Sequence, residues 1–151
     1  MGISIDLANA VVTALNDWSW GLEFTAQRVY QPRRELEEVG EALTVDVGPR
    51  GQRPRQGEQT TKTFGRVLRC RYYEVDILVA QRIAVDDLEA VDPLTNLTDE
   101  IADYFENKEL TVTGAQVRVT NVTEILADGE DFNRGQFSSL VRLVCQVIQQ
   151  L

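Results

Sequence analysis

Hydrophobic and polar positions alternate most persistently between Arg66 and Ile83, RVLRCRYYEVDILVAQRI. Period-two alternation marks a strand with one buried face. Val75, Ile77 and Val79 point one way, and Glu74 and Asp76 the other. Upstream the parity reverses, with Leu68, Cys70 and Tyr72 on the apolar face and Arg69 and Arg71 on the polar one. The two phases meet at Tyr72-Tyr73, which predicts a bulge or sharp bend where one extra residue re-aims the side chains. A strand of this length needs neighbours on both sides, so a sheet is expected at the centre of the molecule.

The other periodic stretches surround that strand. Ser4 to Asp17 predicts an amphipathic helix, with Ile5, Ala8, Val12 and Leu15 at helical spacing and Leu7, Val11 and Ala14 beside them. Ser4 is the expected N-cap, and Asp6 suits the positive end of the helix dipole. Trp18-Ser19-Trp20-Gly21 ends the helix, and its tryptophans are expected to cover a sheet edge. Leu22 to Tyr30 has strand character until Pro32-Arg33-Arg34 interrupts it, and Glu35 to Glu41 reads as an acidic turn or short helical piece. Leu43 to Val47 is a short strand with Leu43, Val45 and Val47 inward and Thr44 and Asp46 outward.

Beyond the long strand, Asp92-Pro93 predicts a helix start, Asp92 as N-cap and Pro93 in the first helical position. Leu94, Leu97, Ile101, Tyr104 and Phe105 form its apolar stripe through about Lys108, opposite Asp99, Glu100, Asp103 and Glu106. Val112 to Ile125 returns to alternation, Asp128 to Asp131 makes a turn, and Gln136 to Gln150 is the last strand. In that strand Phe137, Val141, Leu143, Cys145 and Val147 share one face, and Leu140, Val144 and Ile148 the other, which predicts cover on both sides. The expected fold is therefore α+β. It is a single domain over residues 1–151 with a mixed, mainly antiparallel sheet, an N-terminal helix, a second helix packed on the sheet, and a long flexible β-hairpin loop.

That loop is Gly48 to Gly65, GPRGQRPRQGEQTTKTFG, with four glycines, two prolines and Phe64 as its only large apolar residue. It buries too little surface to offset its ordering entropy, so the pattern predicts a mobile segment. A loop this long inside a domain is often functional. Charge sharpens the picture. Of 15 basic and 24 acidic residues, Arg50 to Arg71 holds seven basic (Arg50, Arg53, Arg55, Lys62, Arg66, Arg69, Arg71) against Glu58 alone. That segment carries +6, and the rest, with 8 basic and 23 acidic residues, carries −15. The functional reading is an arm that orders against an acidic partner, with another copy of this acidic protein favoured over nucleic acid. Arg50, Arg53, Arg55, Lys62 and Arg66 are its candidate contact residues.

A net charge of −9 opposes general nucleic-acid binding. At 151 residues the chain can bury roughly 68–70% of its unfolded surface. Met1 to Trp18 lacks the basic residues of a signal peptide, Asp6 breaks a myristoylation pattern, and no apolar run approaches the ~20 residues of a membrane span. These features read as cytoplasmic. Cys70 and Cys145 are expected as buried free thiols, a disulfide between neighbouring strands being the lesser reading. Two cysteines without histidine do not make an ordinary structural zinc site.

The absence of histidine also removes the usual general base, metal ligand and triad member. Glu74 and Asp76 share a strand face, and Asp46 could join them in a Mg²⁺-holding, nuclease-like group, although such carboxylates are usually just solvated. Asp128 to Gly135 lacks the ligand spacing of a calcium loop. No phosphate-loop, dinucleotide or nucleophile-elbow motif occurs. The residues assign no catalytic, cofactor-binding or metal role, and the chain reads as a non-enzyme.

The element order, with IDLANAVVTALND, YYEVDILVAQRI and LTDEIADYF as its texture, resembles the tail terminator (tail-completion, neck) proteins of tailed bacteriophages over nearly the whole chain. The resemblance implies a virion protein, assembled in the host cytoplasm, that forms a ring of typically six copies. Such a ring caps the tail tube, stops its polymerisation and docks to the head–tail connector. Its partners would be itself, the tail tube protein and the connector, with double-stranded DNA passing through the lumen unbound and no membrane involved. The segment from Gly48 to Gly65 would then be the arm ordering against the tube or a neighbouring copy. The alternatives are another head–tail adaptor, a tail-tube or secretion-tube protein, a carboxylate-dependent nuclease, or an unrelated α+β binding module.

Overall fold

The structure is a computed structural model that describes residues 2–30, 42–53, 59–63, 66–83, 88–126 and 135–150. Its elements are α1 (Ile3–Asp17), β1 (Ala26–Arg28), β2 (Thr44–Gln52), β3 (Gln59–Thr63), β4 (Arg66–Arg82), α2 (Leu88–Phe105), β5 (Glu109–Val112), β6 (Ala115–Ile125) and β7 (Gln136–Gln150). The expected interruption at 32–34, the acidic turn at 35–41 and the turn at 128–131 lie outside the described residues.

The fold is α+β, with seven strands in the order β1-β2-β4-β7-β6-β5 and β3 also paired to β4. β1 and β2 are parallel, and every other pairing is antiparallel. β4 is the organising strand. Its second half pairs with β2 and its first half with β3, so two strands share one edge. Its other edge is paired with β7 over the whole range from Leu68 opposite Gln150 to Arg82 opposite Gln136.

That unbroken register corrects the expected bulge at Tyr72-Tyr73: β4 has none against β7. The bulges sit in β2, between Pro49 and Gly51 opposite Val75 and Glu74, and in β6, between Val119 and Asn121 opposite Cys145 and Val144. Glu74 pairs with Val144, so both bulges lie at one level of the sheet. Gly51 adopts φ +95°, a left-handed conformation that glycine takes without steric penalty in such bulges. The phase change in β4 therefore records which face is covered in each half. Leu68, Cys70 and Tyr72 point the same way as Glu74 and Asp76.

The helices lie together on the opposite face. Leu7, Ala8, Val11 and Leu15 of α1 are buried with Val45, Val47, Val75, Ile77, Val79, Val141, Leu143 and Cys145. Contacts of α1 with β1 and β2 at one margin and β5 at the other show the sheet curling around this helix. The N-cap is Gly2, without a side-chain cap, rather than Ser4. In the last turn of α1, the Asn16 amide accepts from Ala26 N–H (2.8 Å) and donates to Ala26 C=O (3.1 Å), which fixes the entry to β1. Only Ala26–Arg28 of the strand expected from Leu22 to Tyr30 is ladder, although Leu22 and Phe24 still pack on the core.

α2 begins at Leu88, earlier than Asp92-Pro93 predicts, so Pro93 lies inside the helix and removes one backbone donor there. Leu94, Leu97, Ile101 and Phe105 are buried as expected, and Asn107 follows the helix with φ 57°. The tryptophans pack tilted or edge-on against Tyr104 at this end of α2. Tyr104 lies 5.0 Å from the Trp18 ring and 5.2 Å from Trp20. The strand expected from Val112 to Ile125 is present as β6 from Ala115, with Val117 and Val119 buried, and β5 precedes it to form an unexpected hairpin. β5 and β6 turn through Thr113 and Gly114, the latter at φ +81°.

Candidate functional site

The basic segment is less a loop than expected. β2 continues past its bulge to Gln52, and Gln59–Thr63 forms β3 on β4. Low hydrophobicity misled here because a strand against an existing edge needs backbone partners more than apolar side chains. QTTKT is rich in β-branched threonine, which favours the extended chain. The backbone of Lys62 pairs with Val67, Arg66 opens β4 with its side chain exposed, and Arg55 lies outside the described residues.

Arg50 and Arg53 are held to their own chain. Arg50 occupies the β2 bulge, where its guanidinium lies 3.1 Å from a Glu74 oxygen and 3.5 Å from Asp76. The Arg53 Nε lies 3.3 Å from the other Glu74 oxygen. From β7, Arg142 donates to both Asp76 oxygens, at 2.9 and 3.3 Å, in the forked geometry that suits a carboxylate. The hydrogen bond to Asp76 comes first among the causes that raise the Arg142 pKa above its ordinary value. The bulge thus re-aims Arg50 onto carboxylates that β4 presents, and three arginines enclose two acids.

This network revises the carboxylate reading. Asp76 does face away from the helices, but it is 4% exposed. Asp46 is 1% exposed and accepts a hydrogen bond from Gln27 Nε2 at 2.9 Å. Glu74 and Asp76 direct their oxygens to guanidinium groups, which leaves them poorly placed as ligands for a cation. Among the described residues no group of three His, Cys, Asp or Glu is arranged to hold a metal.

Below the network, the face that points away from the helices is open. Leu68, Cys70 and Tyr72 of β4 stand in register with Gln150, Ile148 and Gln146 of β7, and Gln116 of β6 lies beside Ile148. Gln146 Nε2 donates to the Tyr72 hydroxyl at 3.3 Å. Two adjoining grooves of about 550 and 710 Å³ share Ala115, Gln116 and Ile148. Leu68 and Arg66 line one, and Arg118, paired to Glu109 at 2.6 Å, lines the other. Sequence reasoning missed this surface by treating Leu68, Cys70 and Tyr72 as core.

At the far end of the sheet, Asp103, Glu106 and Glu124 line a cleft of about 190 Å³ between α2 and β6. The Glu124 pKa is pushed up from 4.5 to about 7, first by burial, then by a hydrogen bond to Asp99 and by the charges of Asp99 and Asp103. Beside it Ile125 and Leu126 are 49% and 48% exposed. The cysteines fall on opposite faces of the sheet and are both free. Cys145 is buried as expected, with its thiol pushed up to about 12 by that burial, whereas Cys70 is half-buried.

Among the described residues no helix is long and apolar enough to cross a membrane. Compared with known proteins, the chain matches no protein-family model and no curated protein.

Proposed function

We propose that this chain is a structural virion assembly protein of tail-terminator type. In this reading copies of it close into a ring that caps a tail tube and offers a docking surface to the head–tail connector. Charge polarity carries the reading. The segment from Arg50 to Arg71 bears +6 and the remainder −15. A ring of identical subunits requires one surface to meet a different surface of its neighbour, and opposite charges on one chain provide such a pair. The acidic remainder would also let DNA phosphates slide past a lumen without adhering.

Two structural features support the reading. β3 and the first half of β4 carry Lys62, Arg66, Arg69 and Arg71 on one ribbon. The grooves beside that ribbon supply apolar area of the kind that interfaces bury. The contact role assigned to the arm narrows accordingly. Arg50 and Arg53 are held by Glu74 and Asp76 beside the ribbon, and Arg66 is the exposed candidate left to meet a neighbour or the tube.

Electron microscopy of the purified protein tests this directly. Closed rings of uniform diameter are expected. Open-ended cylinders would instead indicate a tail-tube protein, and single particles at every concentration would contradict both.

A further inference from the structure

Two exposed surfaces of the molecule combine apolar side chains with charge of opposite sign. The first is the open groove lined by Leu68, Ala115 and Ile148, with Arg66 also in its lining. Arg66 is exposed at the start of β4. The second is the corner at the end of β6. Ile125 and Leu126 are adjacent exposed apolar residues that follow Glu124, whose carboxyl faces Asp99 and Asp103 of α2.

We infer that the groove beside Leu68 and Ile148 receives the corner formed by Ile125 and Leu126 of a second copy of this chain. This rests on the ring reading above and names the two surfaces that would meet.

The match has two parts. An apolar pair with about half its surface in water faces a groove that presents Leu68, Ala115 and Ile148, and burying these side chains removes their surface from water. An acidic flank meets a basic rim, which orients the encounter and opposes the reverse docking of like on like. Geometry excludes the contact within one molecule. Gln116 of β6 lies at Ile148 of β7 and Ile125 at Leu140, so eight residues of β7 separate groove from corner. At about 3.3 Å per residue that is roughly 26 Å. Unless a two-fold axis pairs both grooves with both corners at once, each copy keeps one unfilled groove or one uncovered corner after its first contact. That is the condition for head-to-tail growth, and it closes as a ring when the rotation permits.

The test compares the full-length protein with Arg66→Glu and Leu126→Arg by sedimentation velocity at low ionic strength. Both positions are exposed, so neither change should unfold the chain, and circular dichroism melting curves serve as the control. Each variant alone should associate at least about tenfold more weakly than the parent. Mixing the two should restore association. The unaltered corner of the first variant fits the unaltered groove of the second, and the two introduced charges are opposite in sign.

An oligomer that ignores both substitutions overturns the groove–corner contact and leaves the ring reading standing. A dimer that both substitutions dissolve supports the contact and contradicts the ring. A parent protein that stays monomeric at its highest soluble concentration overturns the contact.

Discussion

The two halves of β4 share one strand, one partner in β7 and one continuous register, yet they live in different surroundings. From Val75 to Ala80 every residue is buried, including those on the face away from the helices. From Arg66 to Tyr72 none is. The half beside β2 contributes to the core from both sides. The half beside β3 keeps water contact and leaves Leu68, Cys70 and Tyr72 on an open face. Bulges in β2 and β6 mark the boundary, and the Arg–carboxylate network stands on it. Alternation thus reports a strand's two environments separately. A reversal of phase can mean that the covered face has changed while the strand runs straight on.

If that contrast is right, truncation should separate the halves most strongly. Ile77→Ala removes a fully buried side chain and should cost about 2–5 kcal/mol. Leu68→Ala, on the open face, should cost roughly 1 kcal/mol or less, since exposed changes are mild. Urea unfolding of both variants checks this, and equal losses would erase the distinction.

Next in size is the boundary network. Arg142→Ala leaves the Asp76 carboxylate buried with only the longer Arg50 contact, and should cost about 2–3 kcal/mol. This lies below the range for a fully buried pair because Arg142 retains 29% side-chain exposure. Arg50→Ala and Arg53→Ala, whose side chains are about half exposed, should each lose under about 1 kcal/mol. The same urea titrations read these losses, and an Arg50→Ala loss as large as that of Arg142→Ala would reverse the assigned order.

A smaller, pH-dependent effect belongs to the far end of the sheet. Glu124 faces Asp99 and Asp103 from α2, with Glu106 lining the same cleft, and holds its proton up to about pH 7 against an ordinary 4.5. A carboxyl with a raised folded pKa favours the folded state below the lower value and loses that advantage as pH rises through the higher one. Thermal stability should therefore decline between pH 4.5 and about 7. Glu124→Gln should flatten that decline and leave the variant the more stable protein above it. A parent profile unchanged by the substitution would remove Glu124 as its cause. Smallest of all, a thiol reagent should modify Cys70 readily and Cys145 only on unfolding, because burial holds the Cys145 thiol protonated.

Much of the fold was legible because its signals are local. The stripes of α1 and α2 and the alternation in β4 and β7 state directly which side chains leave water. What escaped depended on partners distant in the chain. β3 is polar and exists because β4 offers it an edge, and the β5–β6 hairpin hides in continuous alternation broken only by Thr113-Gly114. The candidate arginines were legible as a charge excess, but the capture of Arg50 and Arg53 by Glu74 required the β2–β4 register. The open groove was illegible for the same reason: Leu68 and Ile148 look like core until the strands are laid side by side.

The central claim is that opposite charge on one chain brings copies of it together. The measurement that tests it most directly is the solution mass by light scattering at low and at high salt. Added salt shortens the reach of exposed charges to about a Debye length, roughly 8–10 Å near physiological ionic strength and less above it. A single species near six times 17.0 kDa at low salt, falling toward 17.0 kDa as salt is raised, is the predicted result. A mass of 17.0 kDa under both conditions would contradict it.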